Sequence, residues 1–208
     1  MKIRLAKYSD ASRLAKLHIK SSKAQPGSFF YKLGYAFLLE YYKIFLSEEN
    51  SIILCAMDDN KRLIGLVTGT SDMNEHICFL KKHKIRLGIM LIPKILINPY
   101  LIKEVLDRFV SLKNSKSSNY IIKEGARLEF WGWDPEEKSV MGSFILLKKW
   151  LEIMACLGIN KVENEVDLIN KKSLELHVLL GAKEKNRVIT NDGRERIILE
   201  YDLNKYFN

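Results

Sequence analysis

Three groups of residues in this 208-residue chain have types and spacings suited to chemistry. The first is Asp134-Pro135-Glu136-Glu137-Lys138-Ser139-Val140-Met141-Gly142-Ser143, the lead-in to a helix. A helix start carries N–H groups without intrahelical partners and roughly half a positive charge, so it suits a phosphate. Here Val140, Met141, Gly142 and Ser143 would present the amides, with Lys138 and Ser139 beside them. The second group is Arg127, Glu129, Trp131 and Trp133, which strand alternation places on one face. Glu129 is the only carboxylate in that row, and a carboxylate can accept a proton. The third is Asn170-Lys171-Lys172-Ser173 with His177 one helical turn beyond Ser173, and a histidine can give or take a proton near neutral pH. Each group also has a plainer reading: an ordinary helix start with acids in its first turn, a strand carboxylate paired with a cation, core tryptophans, and a half-buried helical histidine.

The elements that must position these residues follow from hydrophobic periodicity. Lys2–Tyr8 reads as a strand, and Ser9 or Asp10 caps a helix with Ala11, Leu14, Ala15 and Leu17/His18 at helical spacing. After a loop at Pro26-Gly27-Ser28, Phe29–Leu46 reads as a second helix. Ser51–Met57 and Arg62–Thr70 form a hairpin about Asp58-Asp59-Asn60-Lys61. From Asp72 to about Glu124 the chain turns basic and interrupted, with short helices ended by Pro93 and Pro99 and a mobile polar loop at Lys113–Asn119. Ala126–Trp133 is a strand, about Gly142–Leu157 a helix with Leu146, Leu147, Trp150 and Met154 on one face, and Lys161–Leu168 a strand. A short helix at Asn170–Leu180 stops at Gly181, and Lys183–Thr190 and Arg194–Leu203 make a hairpin about Asn191-Asp192-Gly193. The expected architecture is a mixed α/β layer, one sheet with helices on both faces, forming a single domain over residues 1–208 with an insertion over about 72–124.

This order of elements resembles the GNAT superfamily of acyl-CoA-dependent N-acyltransferases, most specifically over Ala126–Leu203. Family members carry a strand ending near a proline, a basic or Gln-led loop with glycines, and then a helix; residues 131–143 are similar, with Lys138 in place of Arg or Gln, Met141 where glycine is expected, and Gly142 one place late. Asn170, Ser173, His177 and Gly181-Ala182 resemble a second family element, with His177 where the family has tyrosine. The resemblance implies a mostly antiparallel central sheet and an acyl-CoA co-substrate, acetyl-CoA foremost, without a metal. Its pyrophosphate would sit on Lys138 to Ser143 and its pantetheine arm between Trp131 and Trp133, with Asn170 and Ser173 alongside. The resemblance also implies a primary amine as acceptor, an amino sugar or another small metabolite among the options. His177 would be the acid toward the leaving thiolate and Glu129 a base. A GNAT-like module that binds acyl-CoA or an acyl carrier without turnover is the alternative.

Composition narrows the partners. The three cysteines stand far apart and the four histidines lack ligand spacing, so neither a disulfide framework nor a metal site is expected. With no secretory leader or long apolar run, a cytoplasmic protein is expected. The formal net charge of +9 attracts anions in general. No nucleic-acid motif accompanies it, so no nucleic-acid partner is expected. Three uses of the basic insert stay open: a wall of the acceptor pocket, contact with a membrane surface, or a structural cover or homodimer contact.

Overall fold

The computed structural model describes residues 1–23, 29–103, 105–106, 122–189 and 193–206. The expected loops at Pro26-Gly27-Ser28 and Lys113–Asn119, and most of the last hairpin turn, lie outside the described residues. Seven strands form one sheet in the order β1-β2-β3-β4-β5-β7-β6. They are β1 (Lys2–Leu5), β2 (Ser51–Met57), β3 (Leu63–Thr70), β4 (Ala126–Trp133), β5 (Lys161–Asp167), β6 (Lys183–Ile189) and β7 (Glu195–Asp202). All neighbours are antiparallel except β4 and β5. The expected helical insertion follows the third strand.

The apolar runs of β2 and β3 are buried on both faces of the sheet, as a central strand must be when helices cover both sides. Ile52, Leu54 and Ala56 point to one side and Ile53, Cys55 and Met57 to the other. The first side is closed by helix α5 (Val140–Cys156), whose Leu146, Leu147, Trp150, Leu151 and Met154 are fully buried. A side chain of this kind contributes about 1.5–3 kcal/mol on burial. The second side is closed by α1 (Ala11–Ser22), α2 (Phe29–Phe45) and α4 (Lys84–Ile97), through Leu14, Leu38, Tyr42, Phe45, Leu87 and Leu91. α3 (Met73–Lys82) leads into α4, and α6 (Lys171–Leu179) lies between β5 and β6.

Two local expectations change. Asp10 does not cap α1 with its side chain: the carboxylate is taken by Arg4, in two bonds of 2.7 and 2.9 Å, and by the Lys7 amide. That pairing holds Asp10 below the usual carboxylate range despite burial. Pro93 does not end its helix either. α4 runs through it to Ile97, because the proline is exposed and its missing donor falls on the solvent side, and the helix stops only before Asn98-Pro99.

Candidate active site

β4 and β5 are neighbours, yet they pair only at Ala126↔Val162 and Arg127↔Glu163. Beyond that point β4 stays with β3 to its end, and β5 stays with β7 to Asp167. The inner edges therefore part, and from Leu128 onward the β5-facing backbone of β4 has no strand partner among the described residues. The β3–β4 register shifts by one residue between Thr68 and Gly69, leaving Glu129 as the extra residue of a β-bulge. A bulge bends its strand and increases local twist, which helps drive the two strands apart.

The bulge also overturns the expected row of side chains. Trp131 and Trp133 pack toward α5, whereas Phe130 packs toward α1 and Arg127 toward Tyr41 of α2. Arg127 and Trp131 are thus on opposite faces, because the inserted Glu129 reverses the alternation between them.

The wedge between the strands is a cleft with about 1030 Å³ of empty space, its open mouth included. β4 walls it from Arg127 to Trp131 and β5 from Asn164 to Asp167; α6 contributes His177, with Asn170 and Ser173 at its start. His18 of α1, Phe29 and Phe30 of α2, and Arg194 and Arg196 close the rest. The charges are paired. Arg127 lies 3.2 Å from Glu129 and 3.3 Å from Glu165, Arg196 lies 3.0 Å from Glu165, and Arg194 lies 3.1 Å from Asp167. Burial disfavours the Glu165 charge, but Arg127 and Arg196 outweigh it and hold its carboxyl below the usual range.

Two neutral imidazoles face each other's walls of this cleft. Burial pushes His177 down to about 4 and His18 down to about 3. His177 Nδ1 lies 2.5 Å from Tyr201 Oη and its Nε2 3.2 Å from Asn164 Nδ2, with the Trp131 ring edge-on at 5.2 Å. As the Asn164 amide stands, one tautomer satisfies both distances: Asn164 donates to Nε2 and the ring Nδ1–H donates to Tyr201. The other, with Tyr201 donating to Nδ1 and the proton on Nε2, requires the Asn164 amide turned so that its Oδ1, otherwise unpartnered, accepts from Nε2. In neither is the ring an imidazolium at neutral pH. His18 stacks on Phe130 at 3.6 Å and binds Tyr42 Oη through Nδ1 at 2.7 Å.

Several buried polar atoms here have no hydrogen-bond partner among the described residues: His18 Nε2, Glu129 Oε1, Trp131 Nε1 and Asn164 Oδ1. Each belongs to a residue lining the cleft. Buried polar atoms are nearly always satisfied in folded proteins, so such a cluster marks a place completed by water or a ligand.

The expected phosphate site lies further along, where β4 hands over to α5. Lys138, Ser139, Val140 and Met141 are exposed. Ser139 caps α5 by accepting the Gly142 N–H at 3.1 Å, and the Val140 N–H is bound to Lys138 O at 3.1 Å. The expectation of four free amides is therefore too generous; Met141 N–H is without a partner among the described residues. Gly142 has a packing reason to be glycine, since a Cβ there would meet the Trp133 ring at 2.9 Å, and Gly65 covers the ring's other side. Trp133 thus joins the cleft strand to the helix start. The turn between them is fastened by Lys20 to Asp134 (2.8 Å) and by Arg62 to Glu137.

Of the expected site residues, Glu129, Trp131, Asn170, Ser173 and His177 meet in the cleft, whereas Trp133, Lys138, Ser139, Val140, Met141, Gly142 and Ser143 stand at the far end of β4. Sequence reading missed His18, Asn164, Glu165, Arg194 and Arg196. Asn164 had a signal, as the polar member of the inward row Val162, Asn164, Val166.

No protein-family model and no curated protein matches the chain. Solved structures do. A Staphylococcus aureus Mu50 N-acetyltransferase superposes with TM-score 0.62 at 14% identity, over 97% of this chain and 98% of that one. Aminoglycoside 6'-acetyltransferase type Ii gives 0.59 at 11% identity, over 98% and 97%. A spermidine N-acetyltransferase SpeG chimera from Vibrio cholerae and hSSAT gives 0.58 at 16%, over 100% and 99%. The chain has the GNAT fold, a seven-stranded mixed sheet flanked by helices. At these identities the likeness is one of fold.

Proposed function

We propose that this chain is an acyl-CoA-dependent N-acyltransferase, with acetyl-CoA as donor and a primary amine as acceptor. The observation that carries this reading is the parting of β4 from β5 around a cleft lined by unpartnered buried polar atoms. An amide-bearing arm such as pantetheine can take the strand hydrogen bonds that β4 leaves open, as an added strand does. Its diphosphate would reach the start of α5, where the Met141 amide and the exposed Lys138 stand. Asn170 caps α6 by accepting the Ser173 N–H, so both would act as cleft wall rather than as donors to the arm.

For transfer, the amine nitrogen attacks the thioester carbon; the C–N bond forms as the C–S bond breaks. Glu129, held beside Arg127 by an ion pair at 3.2 Å, takes the ammonium proton. As the C–S bond breaks, the nitrogen sheds its second proton to solvent; the thiolate takes the Nε2 proton of His177 while Nδ1 takes that of the Tyr201 hydroxyl, which solvent restores. Acetyl transfer in the SpeG and aminoglycoside enzymes serves spermidine and aminoglycosides by their names. The present cleft suits a different acceptor, because each of Glu129, Glu165 and Asp167 is already matched by an arginine. A polycation would find no surplus negative charge. An added anion would equally find no surplus positive charge, so a small amine with no further charge, such as an amino sugar, fits the balanced cleft better.

Release of free coenzyme A from acetyl-CoA against a panel of amines tests the reading. The expected result is turnover, favouring small amines with no further charge, and a loss of about a hundredfold in kcat for Glu129→Gln with its KM for acetyl-CoA little changed. Binding of acetyl-CoA without turnover on any amine would leave a binding module instead.

A further inference from the structure

The insert has a surface that the acyl-transfer reading does not use. α4 buries Leu87 and Leu91 against the α1–α2 side, yet Ile85 is 73% exposed, Ile89 53%, Ile92 52% and Leu96 78%. Those four recur at i, i+4, i+7 and i+11, one stripe on the side of the helix opposite Leu87 and Leu91. Ile97, the last residue of α4, and Tyr100 beyond it add exposed apolar surface, at 81% and 86% exposed. A helix apolar on both faces belongs in apolar surroundings on both, and a contiguous exposed patch of this kind marks an interaction surface.

Charge decides the partner. From His76 to Lys103 the sequence contains no Asp or Glu. Lys81, Lys82 and Lys84 are exposed at the N-terminal end of α4, and Lys103 lies beyond its other end. A second copy docking through this stripe about a two-fold axis would bring the same cations together. An anionic surface would instead be attracted by them while the isoleucines leave water. No helix among the described residues is long and apolar enough to cross a membrane, so the contact is one of lying on a surface.

We infer that α4 docks on an anionic lipid bilayer, with Ile85, Ile89, Ile92 and Leu96 entering the boundary between headgroups and acyl chains and Lys81, Lys82 and Lys84 on lipid phosphates. Co-sedimentation of the full chain with vesicles tests this, using phosphatidylcholine alone and phosphatidylcholine mixed with phosphatidylglycerol. The expected result is binding to the mixed vesicles that weakens with salt and falls at least about tenfold both in the double variant Ile89→Asp with Leu96→Asp and in the triple exchange of Lys81, Lys82 and Lys84 for Glu. The changed side chains are exposed, and an unaltered circular dichroism spectrum confirms folding. Three results would each overturn the inference: no binding to the mixed vesicles, equal binding to phosphatidylcholine alone, or variants that bind as the parent does. A parent that sediments as a dimer without binding vesicles, and becomes monomeric in the Asp variant, would assign the stripe to a second copy.

Discussion

Trp150 and Trp131 lie within one sheet layer of each other and have opposite fates. Trp150 is completely buried between α5 and the sheet, and its Nε1 donates to Ile52 O at 2.8 Å. Trp131, on the parted strand, keeps an unpartnered Nε1. Around Trp150 the α5 face of the sheet has been closed by apolar packing and a satisfied hydrogen bond; the β4–β5 fork has been left chemically incomplete. A region that gives up its own strand pairing and gathers unpartnered polar atoms beside a densely packed core is where function draws on stability.

Four substitutions or conditions sharpen this contrast, the largest first. Trp150→Ala should lower unfolding stability by about 3–5 kcal/mol in urea, as expected for deleting a fully buried tryptophan. A loss below about 1 kcal/mol would contradict the closed-face description. Acid should act through the fork. His18 and His177 are both held neutral, at about 3 and about 4, so the unfolded chain binds more protons once the pH drops below the ordinary histidine value. Stability is then fully present above about pH 6.5 and falls on acidification, at close to 2.5 kcal/mol per pH unit near pH 5 if both rings stay neutral, roughly half of it removed by His177→Gln. A flat stability profile between pH 6.5 and 5 would show that the rings are solvated.

At the level of turnover, His177→Phe should slow kcat at least about tenfold. An unchanged rate would take this residue out of the reaction and leave it as packing against Trp131 and Tyr201. The smallest effect concerns the helix start. Ser139→Ala removes the cap on Gly142 and should cost about 1 kcal/mol of stability. Because that hydroxyl is spent within the protein, the affinity for acetyl-CoA should change little; a large loss of affinity with no loss of stability would make Ser139 a phosphate ligand instead.

Much of this was legible in the residues. The hairpin at Asp58–Lys61, the apolar face of α5 and the alternation of β5 each have a short-range cause, so pattern alone located them and their order fixed the fold. The helix start at Ser139 was legible too, within a few residues. What the pattern concealed was long-range. Nothing near Glu129 signals a bulge, since its position depends on the register that β4 finds against Thr68 and Gly69; without it, strand periodicity sends Arg127 and Trp131 to the same face. His18 looked like one more member of an apolar helix face, and only the stacking of Phe130 and the reach of Tyr42 show that one ring nitrogen is held while the other is left over. The pairing of the cleft's acids with arginines was equally hidden, because Arg194 and Arg196 arrive from the start of a strand near the far end of the chain.

Amide hydrogen exchange with and without saturating acetyl-CoA tests the central claim most directly. The open fork predicts new protection on β4 from Leu128 to Trp133 and at Met141, with β2 and β3 unchanged because they are already paired on both sides. Exchange in Leu128 to Trp133 that is the same with and without the ligand would contradict it.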